Sequence, residues 1–273
     1  MTNTTNEINP SDSKNSPNAL HELLFQLADD DFILAYRGSE WLGLAPFIEE
    51  DVAFSSISQD TMGHATMFYQ LLEGVVAINA NDLAHSRPLT ERRNAILLEK
   101  VNGPGHYLVE PRYDWAFTVV RNYFYVTAKK VKMDALKKGS YKPLAEAAVK
   151  VNLELYYHIL HWKTWFTQLL KAGGEARTRM IAAIEKVAED MDGVFNLGLC
   201  EKEMVESGFI ESEHSLKQQW LRLMNPILDE LKVTLPPFAM KSGNGRAGEH
   251  TKDLEDALST LKEVYELDPS AIW

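Results

Sequence analysis

Between residues 143 and 171, apolar side chains recur three or four positions apart without a break: Leu144, Ala148, Val151, Leu155, Ile159, Trp162, Phe166 and Leu169. That period lines one face of an α-helix and cannot line one face of a strand. It returns in Leu20, Leu23, Leu24 and Leu27, and again in Val52, Phe54, Ile57, Met62, Met67, Leu71 and Leu72. Strand-like alternation is scarce, so the chain is expected to be all-α.

Breakers divide the pattern into elements. A helix opened by Ser16 and Pro17 runs to about Arg37, and a second runs from about Phe47 toward Ile78, interrupted by Gly63. Residues 79–112 hold Pro88, Asn102, Gly103, Pro104, Gly105 and Pro111, too many breakers for a long helix, and read as a crossover with a short helix over Thr90 to Lys100. Long helices follow from about Tyr113 to Leu136 and from Pro143 to Lys171. Shorter ones follow at about Glu175 to Leu197, Glu213 to Lys232 with Pro226 inside, and Thr251 to Glu266. Two long helical hairpins joined by one crossover form a ferritin-like four-helix bundle with additional C-terminal helices. The expected organisation is a disordered leader over residues 1–16, a bundle domain over 17–235, and a linker with a C-terminal helical arm over 236–273. The Gly- and Lys-rich stretch from Pro236 to Gly248 reads as mobile, with the arm packed on the bundle or on a partner.

Composition narrows the function. Thirty-nine acidic against 28 basic side chains give a net charge of −11, the wrong sign for a general nucleic-acid binder. The single Cys200 rules out an intramolecular disulfide and a cysteine-built metal cluster. No segment has the run of about 18 apolar residues that a membrane span needs, and the N-terminus lacks a signal-peptide apolar core. A soluble cytoplasmic protein is expected. Seven lysines between Lys129 and Lys150 form a local basic cluster, either helix capping or an attraction for an anionic ligand or subunit.

Bundles of this kind can hold two iron ions, using a carboxylate from each of two helices and a Glu-x-x-His pair from each of the other two. Centring the first hairpin near Ala45 levels Asp30 with Asp60, and centring the second near Gly139 levels Phe124 with Glu154. The ligand layer then comprises Asp30, Asp60, Gly63, Phe124, Glu154 and Tyr157, a degenerate set with no histidine at either i+3 position. His64 and His158 fall one residue late, about 100° round the helix. With His161 they read as a polar stripe near the former site. Asp30 also lies in the run Asp29-Asp30-Asp31, which could be a solvated face. In this reading the chain has no metal ligands and no catalytic residues, and aromatic bulk from Phe124 and Tyr157 fills the metal volume. Arg37, Arg121 or Lys150 are candidates to neutralise the remaining acids. The alternative is a stand-alone di-iron oxygenase using Asp30, Asp60, Glu154, His64 and His158. A third reading is a helical acyl-CoA binding module with the lysine cluster on the phosphates.

Several stretches resemble one family. Glu40 to Pro46, Glu49 to Asp51, Gln59 to Ala65, Arg121 to Phe124, Glu154 to His158 with Trp165, and Gly248 to Thr251 before the terminal Trp273 are similar to the C subunit of ring 1,2-phenylacetyl-CoA epoxygenases, the phenylacetic acid catabolic proteins. The resemblance spans roughly residues 20–273. It implies a structural subunit that has lost the iron ligands and pairs with a ferritin-like catalytic subunit, which holds the di-iron cofactor. It also implies a hetero-oligomer that could include further subunits or self-association, with no nucleic-acid or membrane partner.

Overall fold

The computed structural model describes residues 18–271. The expected leader and the terminal Trp273 lie outside the described residues. The chain is an all-α, ferritin-like helical bundle with additional helices, and no strand occurs among the described residues. Helix α1 (Ala19–Ser39) and α2 (Ile48–Val76) form the first hairpin. The crossover carries α3 (Ala80–His85) and α4 (Ile96–Glu99). The second hairpin is α5 (Trp115–Leu136) with α6 (Lys142–Ala172). The additions are α7 (Gly174–Ala188), α8 (Asp192–Phe195), α9 (Glu201–Glu206), α10 (Glu213–Glu230) and α11 (Lys252–Lys262).

Local chemistry explains most boundaries. The side chain of Asn18 accepts the amide of Leu20, so the N-cap of α1 is Asn18, where the sequence suggests Ser16 and Pro17. Asp114 caps α5 by accepting from the amides of Ala116 and Phe117. The single helix expected from Glu175 to Leu197 is two, α7 and α8, joined by a turn in which Asp190 accepts both the amide and the hydroxyl of Ser242. Gly63 does not interrupt α2, because it faces open space on the outside of the helix.

Helix α1 is enclosed on every side: nearly every residue from Leu23 to Gly38 is buried, including the consecutive Asp29, Asp30 and Asp31. Three successive residues sweep about 200° round a helix, so these acids must point at different neighbours. Asp29 faces the crossover and α2: it binds Arg87, accepts from Tyr69 of α2 at 2.5 Å and from the Arg93 amide at 2.8 Å. Asp30 accepts both guanidinium nitrogens of Arg246 at 2.8 Å and the Ala95 amide at 2.8 Å. Asp31 faces α5. The solvated-face reading of this run does not hold.

The segment from Pro236 to Gly248 is docked. The Ala239 amide donates to the Ala188 carbonyl at 3.0 Å, the Lys241 amide to that of Glu189 at 2.8 Å, and Arg246 ends in the core on Asp30. Two glycines permit the approach: a Cβ at Gly245 would stand 2.0 Å from the Asn94 carbonyl oxygen, and one at Gly248, where φ is +79°, 2.3 Å from that of Thr90. Glycine here allows close packing, where composition alone suggested mobility. Beyond it, the buried Glu99 accepts from the Thr251 amide at 2.7 Å and hydrogen-bonds His250 at 2.8 Å, which seats α11 on the bundle.

Candidate functional site

At the centre of the four long helices lies a chain of polar contacts. Asp31 on α1 accepts from the Tyr125 hydroxyl at 2.8 Å and from the Lys129 ammonium at 2.6 Å, both on α5. The same ammonium stands 2.8 Å from Nδ1 of His64 on α2, whose Nε2 stands 2.6 Å from Glu154 on α6. The rings of His64 and His158 are 6.1 Å apart, and Nε2 of His158 is 3.0 Å from Asp60.

Protonation follows from these contacts. Burial, reinforced by the charge of Lys129 and by His158, holds His64 far below the usual imidazole range, so the ring is neutral. An ammonium can only donate, so Nδ1 of His64 accepts from Lys129 and the Nε2 proton is donated to Glu154. Burial likewise lowers His158, a shift opposed by its hydrogen bond to Asp60. Burial pushes the Asp31 carboxyl up and the Lys129 ammonium down, and each is opposed by the other's charge and hydrogen bond. Glu154, nearer the surface, is raised by burial and then by the charge of Asp60.

The inward-facing positions differ from the expected layer by one residue on every helix. Asp31 takes the place assigned to Asp30. On α2 the buried i, i+3 pair is Thr61 and His64, where Asp60 and Gly63 were expected. On α6 it is Leu155 and His158, where Glu154 and Tyr157 were expected. On α5 Tyr125 reaches Asp31, where Phe124 was expected. Asp60 and Glu154 stand at the rim, with side chains 40% and 49% exposed. Tyr157 is 69% exposed and does not enter the bundle. Phe124 is buried but packs on Phe166 and Trp220, with ring centroids at 5.9 and 5.2 Å. The aromatic plug expected from Phe124 and Tyr157 is therefore absent, and the Lys129 ammonium lies between Asp31 and His64. His64 and His158, expected to point away, point in, while His161 lies 3.3 Å from Glu50 near the bundle end.

The expected neutralising cations are also elsewhere. Arg37 pairs with Glu40, Arg121 donates to the Lys100 carbonyl at 2.6 Å, and Lys150 is exposed. Lys129 serves Asp31, while Arg246 and Lys132, the latter at 3.9 Å, serve Asp30. Burial pushes the Lys132 ammonium down to about 8. The basic cluster is thus divided. Lys129 and Lys132 point into the core, Lys130 and Lys137 pair with Asp134, and Lys138, Lys142 and Lys150 stay exposed.

A carboxylate-bridged iron pair does not fit these residues. Such a site needs about six protein donors. Here Thr61, Tyr125 and Leu155 hold three of those places, and Thr61 spends its hydroxyl on the Ile57 carbonyl at 2.7 Å. Of the donors that remain, Asp31 and His64 already bind an ammonium. No three His, Cys, Asp or Glu side chains converge as a metal-holding group among the described residues.

A family model described as phenylacetic acid catabolic protein matches residues 1–273. Among curated proteins, the chain is similar to the C subunit of the 1,2-phenylacetyl-CoA epoxidase of Escherichia coli (strain K12). The two are 24% identical over 257 residues, which cover 94% of this chain and 100% of that one.

Proposed function

The chain belongs to the phenylacetic acid catabolic protein family, and on that premise we propose that it is a non-catalytic, structural subunit of a multicomponent di-iron oxygenase that epoxidises the aromatic ring of phenylacetyl-CoA. The name of the Escherichia coli relative, a subunit of such an epoxidase, supports assembly with other subunits. One observation carries the structural role: the Lys129 ammonium is hydrogen-bonded to Asp31 and His64 at the height where an iron-binding bundle concentrates its ligands. A buried ammonium supplies the positive charge that the inward donors need, so the bundle is electrostatically complete without a metal pair. The work left to such a chain is to present a rigid surface to the subunit that does hold iron. In this reading the chain works in the cytoplasm.

The stand-alone oxygenase reading loses its ligands, since Asp30 is committed to Arg246 and Asp60 and Glu154 lie at the rim. Reconstitution tests the proposal. The purified chain should not epoxidise phenylacetyl-CoA with a reductant supplied, whereas addition of the catalytic and reductase subunits should give turnover that depends on it. A catalytic subunit that is stable and fully active alone, or turnover by the isolated chain, would refute the proposal.

A further inference from the structure

Helix α6 shows its apolar stripe to the core, yet its outer face is apolar as well. Val149, Leu153, Tyr156 and Leu160 follow one another at spacings of four, three and four, and with Tyr157 they range from 50% to 70% exposed. That spacing is a helix-packing seam with no helix on it. At the end of α6, the exposed Phe47 stacks on Trp165 with ring centroids 6.4 Å apart and extends the patch to Val52 on α2. Side chains of this size expose roughly 100 Å² each, so the patch approaches the ~800 Å² per partner of a standard interface and exceeds what a monomer ordinarily leaves in water.

Two carboxylates flank this apolar seam in the groove between α2 and α6, where Glu154 reaches His64 and Asp60 reaches His158. Glu154 and Asp60 are close enough for the charge of Asp60 to raise Glu154, and both are half-exposed. Gly63, one turn along α2 from Asp60, leaves open space on the same side. Against a second copy of this chain, a two-fold contact would set these acids against their own images. The net charge of −11 would add to the repulsion. A partner with a cation at that point would instead gain from them.

We propose that the outer face of α2 and α6 is the docking surface for a helical subunit of different sequence, which brings a long apolar helix seam and at least one Lys or Arg opposite Glu154 and Asp60. The proposal rests on the reading of this chain as an oxygenase subunit and adds which face meets the partner. The chain Glu154–His64–Lys129–Asp31 runs from this groove to the bundle centre through direct hydrogen bonds.

The test uses the full-length chain and the purified catalytic subunit of the same epoxidase, with affinity measured by calorimetry and mass by sedimentation. Leu153→Asp and Tyr156→Asp change exposed side chains and should leave the melting temperature unchanged while weakening binding by roughly 30-fold or more each. Leu108→Asp, on the exposed crossover loop, should bind as the unchanged chain does. Binding of the unchanged chain should weaken with added salt, and Glu154→Gln should reduce that dependence. If the unchanged chain binds and Leu153→Asp binds equally well, this face is not the interface and the subunit reading survives. If the unchanged chain binds no epoxidase subunit, the subunit reading itself falls and takes this inference with it. If Leu153→Asp only dissociates a homodimer, the occupant is a second copy and the proposal is overturned.

Discussion

Lys129 holds together side chains from three helices, and its removal should be felt accordingly. Lys129→Met leaves Asp31 buried with only the Tyr125 hydroxyl, and breaking one side of a buried ion pair costs about 3–5 kcal/mol. Urea unfolding should show that loss, and Asp31→Asn combined with Lys129→Met should cost less than the two single changes added. The histidines give a separate signature. His64 and His158 are buried with lowered pKa values, so between their folded pKa values and the unfolded value near 6.5 the unfolded chain binds more protons than the folded one. Stability should therefore be complete above about pH 7 and fall as pH drops through 6.5, by roughly 1.4 kcal/mol from His64 at pH 5.5, with a further loss of the same sign from His158. Melting temperatures across that range check this, and His158→Gln should flatten the dependence. Sequence alone picks out the right long helices, but sets the inward positions one residue early. A hairpin's turn centre, read from its loop, fixes height to within several residues, whereas one residue already rotates a side chain by about 100°. The signal that would have corrected it was present in Thr61 and His64 with Leu155 and His158, two i, i+3 pairs each ending in histidine and at equivalent places in their hairpins.

At the scale of elements, the long helices were legible because an uninterrupted period of three and four over some thirty residues has one physical reading. The additions were not, because short helices such as α8 and α9 are fixed by what they pack against more than by their own pattern. The segment from Pro236 to Gly248 shows the same limit: its glycines permit close approach to Asn94 and Thr90, and nothing local in the sequence distinguishes that use from flexibility. Arg246 is the anchor of this segment, with both guanidinium nitrogens on Asp30 and its Nε on the Asn196 carbonyl at 3.1 Å. Arg246→Ala should strand Asp30 with the more distant Lys132 and loosen the path to α11. Hydrogen exchange is expected to rise over residues 236–262 while α5 and α6 stay protected, and Arg246→Lys should not rescue it, because an ammonium cannot reproduce the two parallel hydrogen bonds. Unchanged exchange in that segment would mean that its backbone contacts to Ala188 and Glu189 suffice.

As a whole molecule, the chain keeps the architecture of an iron-binding bundle while its centre is held by an internal ion pair, and its outer α6 face is left apolar. A structural subunit of an oxygenase needs both properties, a core stable without cofactor loading and a surface that a partner can cover. If Lys129 stands where such a bundle would hold metal, the isolated chain carries no iron pair, which elemental analysis reads. The chain should be produced in iron-supplemented cells, purified without chelator, and its iron measured by plasma mass spectrometry beside a ferritin-like catalytic subunit prepared in the same way. Below ~0.1 iron per chain is expected, against roughly two in the catalytic subunit. Close to two irons retained per chain, lost on Asp31→Asn or His64→Gln, would contradict it.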